Sequence, residues 1–178
     1  MMKPMMTERL ILRRFCDEDR APFAALTADP EVMEYFPALL TQAESDALLD
    51  RINAHLDQHG FTFWALERKD THELIGFTGL VNTQFEAAFT PCVEVGWRLA
   101  RAHWGQGFAY EAAKESLRFG FEELDLAEIV SFTVPKNVRS RHVMERLGMR
   151  HDEKGDFDHP KLPAGHPLQR HVLYRLAR

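Results

Sequence analysis

The sequence predicts a single α+β domain spanning residues 1–178. Three observations predict it: stretches of two-residue alternation interleave irregularly with stretches of helical period, no internal repeat or low-complexity tract is present, and 178 residues make about one domain, enough to bury a core without staples.

The first strand is "TERLILRRF", with Leu10 and Leu12 on one face and Arg9, Ile11 and Arg13 on the other. "DEDRAPFAALTADPEVMEYF" reads as one or two short helices broken at Pro30. "TQAESDALLDRINAHLDQHG" is a helix with Thr41 as N-cap, Glu44 at the capping-box position and Gly60 as its stop. "FTFWALERK" and "ELIGFTGLV" flank a turn-like "DTH" and read as a hairpin. After a polar and aromatic loop, "CVEVGWRLA" sets Val93, Val95, Trp97 and Leu99 against Glu94, Gly96 and Arg98. From Phe108 the stripe Ala109, Ala112, Ala113, Leu117, Phe121 and Leu124 marks a helix ending near Asp125. "EIVSFTVPKN" is a strand closed by Pro135, and "NVRSRHVMERLGM" a helix with Asn137 as N-cap and Gly148 at its end. A Pro- and Gly-bearing loop without period leads to the last strand, "HVLYRLAR".

Composition narrows the function. A formal net charge of −5 without a long run of Lys or Arg argues against nucleic acid as a partner. Cys16 and Cys92 form no CxxC pair and are expected as free core or half-core thiols in a reducing, cytoplasmic setting. The opening fifteen residues hold no apolar stretch long enough for a signal peptide or a membrane span. Nine histidines invite a metal reading, yet no HExxH or other close ligand pair accompanies them, so no metal is expected. The tryptophans Trp64 and Trp97 are expected in the core, whereas Tyr35, Phe36 and Phe85, in or near loops, are candidates to line a substrate pocket.

The motif that carries chemistry is "HWGQGFAYEAA", in which a strand runs into a helix through two glycines. A helix N-terminus presents unpaired N–H groups and the positive end of the helix dipole, an anion site that needs no charged side chain. Gly105 and Gly107 lack the Cβ that would hold a phosphate away. The bare alternative is a turn. No GxxxxGK[ST] is present, and the motif follows a later strand rather than opening an N-terminal βαβ unit, so neither a P-loop nor a dinucleotide fold is indicated.

These residues resemble the GNAT superfamily of acetyl-CoA-dependent N-acetyltransferases, and within it the RimJ/RimL-like branch. "WGQGFA" matches the family's [R/Q]xxGx[G/A] at Gly107 and Ala109, with Trp104 standing where Arg or Gln is usual; "VPKNVRSRHVMERLGM" and the C-terminal loop and strand are similar to the branch as well. The resemblance implies a mostly antiparallel sheet of about seven strands with about four helices, splayed between the fourth and fifth strands, Cys92–Ala100 and Glu128–Val134. It implies acetyl-CoA in that opening: backbone groups near Arg98 and Leu99 on the pantetheine, Trp104, Gly105, Gln106, Gly107, Phe108 and Ala109 around the pyrophosphate on backbone donors alone, and Asn137 on the cofactor side.

Acetyl transfer needs a base for the ammonium proton and an acid for the departing thiolate. Glu94 is the candidate base, because a carboxylate among the apolar neighbours of "VEV" has a raised pKa unless it is paired; the alternatives are exposure or an ion pair with Arg98 on the same strand face. Ser140 is the candidate acid by the same resemblance, or an ordinary first-turn serine. The implied acceptor is a primary amine, either a protein N-terminal α-amine or a small molecule. Homodimerisation stays open, and so do two other classes: a non-catalytic acyl-CoA-binding module and a purely structural interaction domain.

Overall fold

The computed structural model describes residues 3–178. One mixed sheet of nine strands runs in the order β1 (Met5–Met6), β2 (Leu10–Arg13), β3 (Phe63–Arg68), β4 (Leu74–Thr83), β5 (Cys92–Leu99), β6 (Glu128–Thr133), β9 (Arg170–Ala177) and β7 (Arg150–His151), with β8 (Phe157–Asp158) also pairing β9. The helices are α1 (Arg20–Thr27), α2 (Gln42–His59), α3 (Phe108–Glu122) and α4 (Val138–Arg146). The count exceeds the expected seven because β1, β7 and β8 are two-residue strands, too short to show a period. Of the one or two short helices expected around Pro30, one α-helix forms, α1, and residues 30–35 form turns.

Local chemistry explains the elements that were foreseen. Thr41 and Glu44 close a capping box at the start of α2, and Gly60 ends it in the left-handed conformation with φ 78°. Asn137 caps α4 through a bond accepted from Ser140 N–H. The charged first strand spends its arginines on neighbours: Arg13 pairs with Asp19 and Glu67, and Arg14 with Asp57. Cys16, expected at least half buried, is exposed at the N-cap of a short 3-10 turn.

The sheet carries helices on both faces. One core joins Leu10, Leu12, Val95 and Leu99 to Ala112, Ala113 and Leu117 of α3. The other joins Phe77 to Phe23 and Leu26 of α1 and Leu49 and Ile52 of α2. All sheet neighbours are antiparallel except β5 and β6, which are parallel and meet at one register, Glu94 with Val130. β4 and β5, by contrast, pair along the whole of β5, from Cys92 to Leu99. Beyond Val95, whose carbonyl accepts from Ser131 Oγ at 2.9 Å, the β6 side of β5 is left open, the splay that the resemblance implied.

Candidate active site

The opening between β5 and β6 widens into a cavity of about 1130 Å³ that runs from the start of α3 to the loops above Glu94. At one end, residues 101–103 form a 3-10 turn, and Gly105 and Gly107 then adopt φ 71° and 83°, the left-handed region that favours glycine. A Cβ at Gly105 would meet nothing within 4 Å, so the backbone there lies open to a ligand. Gly107 is the N-cap of α3 and supplies no side chain to it, whereas α2 and α4 are capped by Thr41 and Asn137. The first N–H groups of α3 are thus left for something outside the chain.

The turn is held from the other side. Glu111, in the first turn of α3, accepts from Thr7 Oγ1 at 2.6 Å, from Arg9 N at 2.8 Å and from Arg9 Nε at 2.7 Å. Arg9 also donates to the Gln106 carbonyl at 2.9 Å and lies 4.2 Å from the Phe108 ring centroid. This clamp of the β1–β2 turn onto the start of α3 is not legible in the sequence alone; its trace is the Glu111 of "YEAA" and the surplus charge of the first strand.

Of the residues assigned to the cofactor, Arg98, Leu99, Trp104, Gly105, Gly107, Phe108, Ala109 and Asn137 all line the cavity. Gln106 is left out: its amide donates back to the Ala102 carbonyl at 3.0 Å. The Phe108 side chain is buried in the α3 core, so its backbone is what it offers the cavity. Trp104, in place of the family's usual Arg or Gln, donates its indole N–H to the Leu99 carbonyl at 2.8 Å. The guanidinium groups of Arg139 and Arg101 lie 4.3 and 4.8 Å from its ring centroid. Two cations thus flank the Trp104 ring, Arg101 from the preceding 3-10 turn, where it also pairs with Glu31, and Arg139 from α4.

Glu94 sits at the register where β5 and β6 pair, one residue before Ser131 Oγ donates to the Val95 carbonyl at 2.9 Å. Its Oε2 accepts from Thr83 Oγ1 at 2.6 Å, and burial pushes its pKa up to about 7, against the Thr83 bond and the Lys161 charge, which both favour ionisation. The alternative pairing with Arg98 is not formed: Arg98 carries no carboxylate partner among the described residues, and burial lowers its pKa to about 10. Ser140 is brought to the opposite wall, where its Oγ accepts from Trp97 Nε1 at 3.3 Å. Trp97 packs against the α3-side core as expected and also borders the cavity, because in a splayed sheet the face beside the opening is apolar too.

The upper part of the cavity is aromatic. Tyr35, Phe36 and Phe85 line it as expected. Phe85 packs on Phe132, Phe157 and His159, and His159 lies 5.0 Å from His171, ring centroid to centroid. Burial lowers the pKa of both histidines, that of His159 to about 4, so both imidazoles are uncharged at neutral pH and Lys161 is the cation beside them. Among the described residues no group of His, Cys, Asp and Glu is arranged to hold a metal ion.

Fold and site together define an acetyltransferase. The chain matches the acetyltransferase (GNAT) domain over residues 9–150 and belongs to that family. It is similar to the uncharacterized protein YkkB of Bacillus subtilis, 33% identical over 150 residues that cover 84% of this chain and 86% of that one. It is also similar to the FsC-acetyl coenzyme A-N(2)-transacetylase of Aspergillus fumigatus, 34% identical over 83% of this chain and 65% of that protein. Among solved structures, an acetyltransferase of the GNAT family from Bacillus anthracis superposes with TM-score 0.81 at 25% identity, over 98% of each chain.

Proposed function

We propose that the chain, as one domain, transfers the acetyl group of acetyl-CoA directly to a primary amine in a ternary complex, as a RimJ/RimL-like enzyme. The observation that supports this best is the conjunction in one cavity of an uncapped, glycine-led helix start and a buried carboxylate with a pKa raised to about 7. In this reading the N–H groups of Gly105 and of Gly107 to Ala109 take the pyrophosphate, with Arg139 beside them, and the open edge of β5 at Arg98 and Leu99 takes the pantetheine as an added strand. The residues fit the group: the donors at the helix start have no side-chain cap, and β5 has no paired strand on its β6 side past Val95.

Glu94 removes the proton. A base with pKa near 7 is about half ionised at neutral pH and still accepts a proton from an ammonium that has reached the buried site. Ser140, on the far wall and oriented by Trp97, donates to the departing thiolate. Asn137, besides capping α4, faces the cofactor side of the cavity. An α-amine with pKa about 8 is roughly 10% neutral at pH 7, against fewer than about 1 in 1,000 for a lysine amine, which makes an α-amine the easier acceptor. The setting proposed is cytoplasmic, in keeping with two unpaired thiols. No described helix is long and apolar enough to cross a membrane.

The test is calorimetric titration of acetyl-CoA into wild type, Gly105→Ala and Gly105→Glu. Both variants share the strain of a side chain at φ 71°, a cost of about 1 to 2 kcal/mol, but only Glu places bulk and negative charge in the anion site. Affinity should survive in the Ala variant and fall by about 100-fold or more in the Glu variant. Equal affinity in folded Gly105→Glu would remove the phosphate assignment.

A further inference from the structure

Arg98 stands apart from the arginines of the first strand. Its Nε and Nη1 are shielded from solvent and have no hydrogen-bond partner among the described residues. Arg9 and Arg13, in contrast, have carboxylate partners at 2.7 and 2.6 Å. The Arg98 guanidinium is instead held against two aromatic rings, 3.9 Å from the Phe36 centroid and 5.2 Å from that of Phe77. A shielded, unpaired guanidinium is costly, and even with its pKa lowered to about 10 it keeps its charge at neutral pH. The group borders the large cavity, so a partner for it can arrive from there.

Position decides what that partner is. Glu94, Gly96 and Arg98 alternate along β5 and so share one face. That face is the one that Phe77 shares with α1 and α2, while Val95 and Leu99 point to the α3 side. The guanidinium therefore lies across the sheet from the helix whose N-terminus is assigned to the pyrophosphate. Between Glu94 and Arg98 the Phe63 ring covers Gly96, so closely that a Cβ there would be 3.1 Å from it. Along this face the order is acid, apolar floor, cation. Glu94 is the single carboxylate residue among those lining the cavity, and away from the α3 turn it faces two cations, Arg98 and Lys161, so a polyamine acceptor would add positive charge where one carboxylate already meets two cations.

We propose that the acceptor is a primary amine that also carries a carboxylate, with the amine at Glu94, an apolar spacer over Phe63 and the carboxylate bound by Arg98. This rests on the acetyltransferase reading above and names its substrate class. At about 3.3 Å per residue the Cα atoms of residues 94 and 98 are about 13 Å apart, so amine and carboxylate are separated by several bonds rather than by the one carbon of a free α-amino acid. The guanidinium, planar and fixed between rings, suits two-point recognition of a carboxylate. Arg98 is thereby a specificity-determining residue; its backbone remains available to the pantetheine.

The probe is ε-aminocaproate, compared with its primary amide and with glycine. Each is titrated calorimetrically into wild type, Arg98→Gln and Arg98→Lys in the presence of CoA, and each is assayed with acetyl-CoA for thiol release. Wild type should bind and acetylate the acid at least about tenfold better than the amide, and glycine poorly. In Arg98→Gln the preference of acid over amide should collapse to about one, and Arg98→Lys should recover part of it. An equal response to acid and amide in wild type would overturn the proposal and needs no variant to read. A preference retained in Arg98→Gln would overturn it too, as would a fall in acetyl-CoA affinity with the preference intact, which reassigns Arg98 to the cofactor's phosphates. Binding of the acid without any turnover would separate the two readings: the carboxylate socket would stand and the transferase reading would fall.

Discussion

Replacing Glu94 by Gln tests the buried base in two independent ways. The carboxyl has an ordinary pKa of 4.5 and is pushed up to about 7 in the fold, chiefly by burial. At about 1.4 kcal/mol per pH unit, the folded protein carries a penalty of about 3 kcal/mol for ionising this group. The sign follows from which state ionises first. Below about pH 4.5 both states hold the proton and nothing is lost; from there to about pH 7 the unfolded chain releases its proton before the folded one, and stability falls. Above pH 7 the loss is complete. Gln does not titrate, so between about pH 4 and pH 8 the stability of Glu94→Gln should gain about 3 kcal/mol on wild type, read by urea unfolding across that range. A gap constant to within about 0.5 kcal/mol would show that Glu94 is not held in a desolvated site, and the argument for a tuned base would lose its premise. Activity gives the second reading. With one confirmed acceptor, kcat of Glu94→Gln should be down about 10²- to 10⁴-fold at neutral pH, and the deficit should shrink toward pH 10 as the amine becomes neutral unaided. Wild-type kcat across that range would return Glu94 to a structural role.

Thr83→Val removes the hydroxyl that donates to Glu94 at 2.6 Å and favours its ionised form, so the acidic midpoint of kcat/KM should move upward by about half to one pH unit; an unmoved midpoint would mean that Thr83 does not tune the base. Glu111→Ala leaves Thr7 Oγ1, Arg9 N and Arg9 Nε without their shared acceptor. The site is partly exposed, so the expected cost is about 1 to 2 kcal/mol, a fall in Tm of about 2 to 8 °C together with weaker acetyl-CoA binding; an unchanged Tm would contradict the clamp. Acetyl-CoA at about 100 times its Kd should stabilise wild type by about 2.7 kcal/mol, visible as a rise in Tm, and no rise would argue against a preformed site.

What could be read from the sequence was local or periodic. The α2 caps at Thr41, Glu44 and Gly60 sit within one turn of the helix ends they define, and the alternation of β5 placed Glu94, Gly96 and Arg98 on one face before any contact was known. The glycines of the α3 turn were legible because a positive φ leaves a residue signature. What could not be read depends on register and on closure of distant segments. Thr83 meets Glu94 because β4 and β5 pair Val81 with Glu94, and nothing in either strand alone fixes that offset. The aromatic roof joins Phe85 to Phe132, Phe157 and His159, drawn from a loop, a strand and a two-residue strand without period. Trp97 was assigned to the core because alternation reports which side chains avoid water, not whether they border a filled core or a cleft open to a ligand. Arg98 without a partner was invisible for the opposite reason: Glu94, the carboxylate that alternation sets on its face, bonds to Thr83.

The central claim, direct acetyl transfer from acetyl-CoA to an amine, is tested by following thiol release from acetyl-CoA carrying an isotopic label in its acetyl group, with and without a primary amine. The account predicts release that depends on the amine, matches label appearing on the amine mole for mole, and leaves no label on the protein. Acetyl-CoA bound at the expected affinity, with no amine raising release above background, would contradict it and leave a binding module.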